Sequence, residues 1–193
     1  MNVYERSLTG HRRNGENMLK AIGSDIDLSV PSDCEYYDHV KDVLESDVVQ
    51  SMKQFHHHGH TSCFQHCVNV SFYNFKLCKA LGLNARAAAR AGLLHDLFLY
   101  DWHDYVKEPG QQLHGWTHPR TALNNARKYF KLSPLEEDII LKHMFPLTTA
   151  LPKYPETVCI TLTDKFCGAW EVIDHWVYIA RKGIHFVRKV FAQ

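Results

Sequence analysis

Nowhere in the chain do the roughly 18 consecutive apolar residues of a membrane-spanning helix occur, so no transmembrane segment is expected. Charge of one sign is not in excess either. With 22 basic and 21 acidic residues the formal charge is +1, which gives no support to a nucleic-acid partner or an anionic membrane surface. The six cysteines form no C-x-x-C pair, and no second Cys/His pair at zinc-finger spacing accompanies Cys63 and Cys67, so packing is their expected role. The first residues, Met1 to Arg6, lack the apolar core of a signal peptide. Reduced thiols and a cytoplasmic location are the expectation. Repeats and low-complexity tracts are missing as well.

What the chain has is histidine, 14 in 193 residues. The background is ordinary, 45% apolar and 22% charged, enough for one domain with a full core. The organising stretch is Ala91 to Phe98, apolar except for the adjacent His95 and Asp96. An unpaired carboxylate in an apolar setting costs roughly several kcal/mol, and a metal ion is a partner that also suits histidine. Further His and Asp residues recur on helix-like segments about one helical hairpin apart: His66, His118, His143 and Asp164.

Residues 1 to about 34 are polar and broken by Gly10, Gly15, Gly23 and Pro31, which reads as a mobile or loosely docked extension ahead of a domain over 35–193. Val40, Val43, Leu44, Val48, Met52 and Phe55 follow helical spacing and predict an amphipathic helix from Tyr36, ended by His56-His57-His58-Gly59. Consecutive helical residues point in different directions, which argues against a shared ligand role for those three histidines. His58, nearest the next helix, is a candidate pocket residue. That helix should start at Thr61 or Ser62 and end at Gly82, with His66, Val70, Tyr73, Leu77 and Leu81 on one stripe. Asn84 can cap a helix running through His95-Asp96, whose side chains would lie about 100° apart, so a metal reached by both needs other helices around it.

Residues 100–118 read as an aromatic-rich loop walling a pocket, with His103 and His114 as candidate substrate or proton-transfer groups. His118, ahead of Pro119 at N1, should open the next helix with Arg120 in its first turn, a corner suited to a phosphate. Ser133-Pro134-Leu135-Glu136 is a capping box for a helix carrying Ile139 and His143 on one face. A later helix aligns Ile160, Asp164 and Cys167, with Lys165 either a partner of Asp164 or a substrate contact. Trp176 to Phe191 alternates apolar and basic residues and reads as a packed final helix with a solvated basic face, in preference to a membrane-surface helix.

The segments Gln65-His66-Cys67-x-x-Val70, Ala91-Gly92-Leu93-Leu94-His95-Asp96, His143-Met144-x-Pro146 and Thr163-Asp164-Lys165 resemble, in kind and order, the HD-domain superfamily of metal-dependent phosphohydrolases. The resemblance covers roughly residues 50 to 175. It implies an all-α, HD-domain-like helical bundle with His66, His95, Asp96 and Asp164 around one metal. His118 and His143 fall where members with a second metal place extra histidines, which would leave Asp96 bridging two ions.

Mixed imidazole and carboxylate ligands suit a divalent transition metal, Fe or Mn foremost and Zn, Ni or Co also. The implied activity is hydrolysis of a small phosphate ester by a metal-activated water. A nucleotide is among the candidates, because Trp102 and Trp116 could stack on a base. Asp96, Lys165 and His103 would take catalytic roles, and Arg120, His114, Lys165 and His58 would meet the substrate. Two alternatives accompany this expectation: an O2-dependent di-iron oxygenase of the same fold, and a non-enzymatic metal-binding regulatory protein.

Overall fold

The computed structural model describes residues 19–57, 59, 61–102 and 113–191, with side chains as far as 182. Its regular structure is helical apart from a two-residue antiparallel hairpin, β1 (Lys20–Ala21) and β2 (Ser24–Asp25). After the hairpin come α1 (Pro31–Leu44) and α2 (Asp47–Gln50), then a 3-10 turn at Ser51–Gln54. The remaining helices are α3 (Cys63–Ala80), α4 (Ala85–Leu94), α5 (His114–Tyr129), α6 (Pro134–Lys142) and α7 (Pro155–Phe191). The fold class is all-α. None of the described helices is long and apolar enough to cross a membrane, and all six cysteines are free thiols.

Local chemistry sets the starts of α3, α4 and α6 where the spacing places them. The Ser62 and Asn84 side chains accept the backbone N–H groups of Gln65 and Ala87 at the starts of α3 and α4. Ser133 and Glu136 close the capping box of α6. Gly82, at φ +68, takes the left-handed position just past α3.

Helix α3 lies at the centre, packed against α4, α7 and the hairpin, while α4 also meets α1 and α6. Gly92 allows the close approach of α4 to α3, since a Cβ there would sit 2.7 Å from Ser71 Cα. The Tyr36 hydroxyl donates to Ser71 Oγ (3.0 Å), which donates to the Ala89 carbonyl (2.7 Å), tying α1, α3 and α4 through one buried chain. Val68, Phe75, Leu93, Leu97, Ile139 and Ile160 fill the space between.

The structure corrects several expectations, each for a local reason. Within the supposed loose extension, residues 19–34 are docked: Ala21 and Ile26 enter the core, Ile22 N donates to Asn69 Oδ1 (2.9 Å), and Lys76 pairs with Asp33 at 2.7 Å. Residues 1–18 lie outside the described residues. Pro31 starts α1 at N1 rather than breaking it, so the helix begins five residues before Tyr36. That helix also stops at Leu44, where the Ser46 hydroxyl turns back to the Val43 carbonyl (2.6 Å).

Helix α5 begins at His114, which puts His118 and Pro119 inside it and removes Arg120 from its first turn. The helix of Asp164 and the expected final helix are one element of 37 residues. At 1.5 Å per residue α7 is about 55 Å long against about 27 Å for α3, so it outruns the helix it packs on. Over 176–179 it is not packed as expected: Trp176 is 65% exposed, and Val177 and Ile179 are exposed too.

Candidate metal centre

The end of α4 sets up the centre. The helix stops at Leu94, His95 is its C-cap and Asp96 lies in the following turn, so the pair escapes the angular separation that a continuing helix would impose. His95 Nδ1 donates to the Gly92 carbonyl (2.8 Å), His143 Nδ1 to Ile140 (2.9 Å) and His118 Nδ1 to His114 (3.1 Å). His66 Nδ1 donates to the Glu171 carboxylate, at 3.0 and 3.2 Å from its two oxygens. Each ring is therefore aimed from behind, and each offers Nε2 to the interior.

Two carboxylates meet those nitrogens. Asp96 Oδ2 lies 2.9 Å from His57 Nε2, 3.5 Å from His95 Nε2 and 3.9 Å from His66 Nε2, while Oδ1 lies 3.2 Å from His118 Nε2 and 3.6 Å from His143 Nε2. Asp164 Oδ1 stands 3.1 Å from His66 Nε2 and 3.7 Å from His95 Nε2. His118 and His143 bring their Nε2 atoms within 2.9 Å, a contact that needs a shared proton or a common cation. Among the described residues, and despite these close approaches, His95 Nε2 and Asp96 Oδ1 are buried and form no hydrogen bond, which native structures rarely leave unexplained. Three overlapping groups in this cluster have donor atoms within 4.8 Å of one another. The residues present thus fit a divalent cation.

The electrostatics agree. Burial opposes charge on His66 and His95, but Asp164 and Glu171 on the one side and Asp96 on the other hold both rings well above the usual imidazole range. Burial likewise opposes charge on Asp96 and Asp164, yet the facing histidines hold both well below the usual carboxylate range. Burial together with the charges of His95 and His118 pushes His143 down to about 3. In the metal-free cluster protons balance the carboxylates, and a bound cation would take over that balance.

His66, His95, Asp96, His118, His143 and Asp164 are therefore brought together. Above them opens a cavity of about 830 Å³, which His114 and Lys165 also line. Arg120 is exposed and is not among the residues lining it. Trp116, 42% exposed, is off the cavity as well, so the base-stacking pair reduces to Trp102, stacked on His114 with centroids 5.7 Å apart. His58 and His103 lie outside the described residues.

Sequence reasoning missed His57, Glu171 and Asn69. Around His56 the chain is extended, bridged to Ser62, so successive side chains alternate: His56 is exposed and His57 buried, stacked on His66 at 4.0 Å. Treating the run as a helix end hid that alternation. Glu171 lies two helical turns after Asp164, a spacing legible in the sequence. Asn69 Nδ2 donates to Glu171 at 2.7 Å, and Asn69 lies three residues after His66 on the same face of α3.

A family model described as HD domain matches residues 63–169, just over half of the chain. The match spans the cluster from His66 to Asp164 but neither His57 nor Glu171. No curated protein and no solved structure matches the chain.

Proposed function

The chain belongs to the HD-domain family, within the superfamily of metal-dependent phosphohydrolases, and from that premise we propose that it hydrolyses a phosphate ester with one or two divalent transition-metal ions, Fe or Mn before Zn, Ni or Co. The supporting observation is the convergence of four Nε2 atoms on two carboxylates, each ring anchored through its Nδ1. His66, His95, Asp96 and Asp164 would hold one ion. His118, His143 and Asp96 would hold the other, with Oδ2 of Asp96 facing the first set and Oδ1 the second.

When bound, the metal supplies Lewis-acid activation of the phosphoryl group and of the attacking water near neutral pH. The chain's own groups do the rest. Lys165 on the cavity wall meets the negative charge of the phosphate. His114, whose Nδ1 lies 2.9 Å from the Tyr100 hydroxyl, passes a proton to the leaving oxygen. His58 and His103 are further candidates for these two roles by their place in the sequence. The water oxygen bonds to phosphorus and keeps one proton, the ester P–O bond breaks with its electron pair on the leaving oxygen, that oxygen takes up the proton from His114, and the second proton of the water restores His114.

Protein loaded with Mn(II) under anaerobic conditions should release inorganic phosphate from simple phosphate monoesters. Activity that appears only with iron and O2 would overturn this reading in favour of an oxygenase, and loaded protein inert under both regimes would mark it as a binding module.

A further inference from the structure

Beyond its polar floor the cavity is walled by Trp102, Leu113, Met144, Ala169, Val172 and Ile173, and the surface it presents is predominantly apolar. Lys165 is the only Lys or Arg among the described lining residues, and Asp96 and Asp164 face the same space. Each property bears on what can enter. A nucleoside or sugar phosphate would press hydroxyls and ring nitrogens against walls whose described residues beyond the cluster offer few partners for them, losing the hydrogen bonds that water provided. Beyond the phosphoryl group held at the metal-bearing cluster, the further charges of a di- or triphosphate would meet one ammonium among the described lining residues. A hydrocarbon or aryl group gives up no hydrogen bonds on entry and gains as each methylene leaves water.

The volume is also informative. About 830 Å³ lies within the roughly 300–1,000 Å³ of pockets that enclose whole small ligands, leaving room for a bulky organic group beside a phosphate. Helix α7 gives that room a direction: Asp164 and Lys165, then Gly168 and Ala169, then Val172 and Ile173 line the cavity at helical spacing. Polarity falls along this wall from the cluster, where Asp164 is largely buried, to the mouth, where Ile173 is 57% exposed.

We propose that the substrate is the phosphate monoester of a bulky apolar alcohol, alkyl or aryl, with its phosphate at the His/Asp cluster and Lys165 and its hydrocarbon along the α7 wall toward Ile173. The ester rests on the phosphohydrolase reading; the binding preference is measurable without turnover.

The test is calorimetric binding of n-alkylphosphonates, methyl to octyl, to Mn-loaded protein under anaerobic conditions. Affinity should rise about fourfold per methylene over the first several carbons. The double variant Val172→Asn, Ile173→Asn should flatten that slope; both side chains are substantially exposed, at 41% and 57%, so folding, checked by circular dichroism, should hold. Affinity independent of chain length, or adenosine 5′-monophosphate binding more tightly than octylphosphonate, would overturn the assignment. A chain-length slope without hydrolysis of octyl phosphate or any simple phosphate monoester would keep the apolar binding preference and overturn the hydrolase reading. Hydrolysis of sugar or nucleoside phosphates in preference to octyl phosphate would do the reverse.

Discussion

A histidine that binds a metal through one nitrogen must be held by the other, and at the scale of single residues this chain does so in two ways. His95, His118 and His143 use carbonyls three or four residues back on their own helices, a local device that comes with the helix. His66 instead uses Glu171, far away in sequence, itself held by Asn69 Nδ2 at 2.7 Å. Burial works against the charge on Glu171, but His66 and Asn69 keep its carboxyl below the usual range. Glu171→Gln preserves the shape and removes the charge behind His66, so metal affinity should fall about 10- to 100-fold, read by competition with a chelator. Unchanged affinity would show that the carboxylate has no part in aiming the ring.

Two contacts between elements control where the ligands sit. Gly92 lets α4 lie against α3, and the Cβ of Gly92→Ala would meet the Ser71 backbone rather than a movable side chain. Overpacking of that kind typically costs about 1–3 kcal/mol, so the denaturant midpoint should drop accordingly; a parent-like midpoint would mean that the helices are not in close contact. The second contact anchors the start of α7, the helix that carries Asp164. Asp138 on α6 accepts hydrogen bonds from Lys153 N (3.0 Å) and Thr157 Oγ1 (2.7 Å) and pairs with Lys142. Burial alone would raise the Asp138 carboxyl, but these partners outweigh it and the net shift is downward. A carboxylate whose folded pKa lies below its unfolded value of about 3.9 stabilises above that value and loses its contribution as pH falls through the folded pKa. Asp138→Asn should therefore cost about 2 kcal/mol at pH 7, and the gap to the parent should narrow in unfolding curves taken below about pH 4.

For the molecule as a whole, the buried cluster makes stability a function of metal. A ligand that binds only the folded state adds about 2.7 kcal/mol at a hundred times its dissociation constant, so Mn(II) should raise the Tm and a chelator should reverse the rise. Asp96, whose two oxygens face the two histidine sets, links both halves of the centre. In Asp96→Asn the Tm should respond little to Mn(II), whereas His143→Ala should keep a response with fewer ions bound per chain. A full metal response in Asp96→Asn would displace that residue from the middle of the site.

The order of His66, His95-Asp96, His118, His143 and Asp164, the caps at Ser62, Asn84 and Ser133, and the all-helical class were legible in the sequence, because each rests on residue kinds and contacts within about one helical turn. The turn-aside at Ser46, the earlier start of α5 and the unbroken length of α7 were not, since helical periodicity says which residues share a face and little about where a helix stops. Nor was it legible that His57 faces inward while His56 does not, or that Glu171 stands behind His66. Those facts depend on the extended backbone before α3 and on the crossing of α3 with α7. By itself the sequence determined which chemical groups the centre has to work with. Only the tertiary structure decided which nitrogen of each ring meets which carboxylate oxygen, because those distances are set by how distant helices pack.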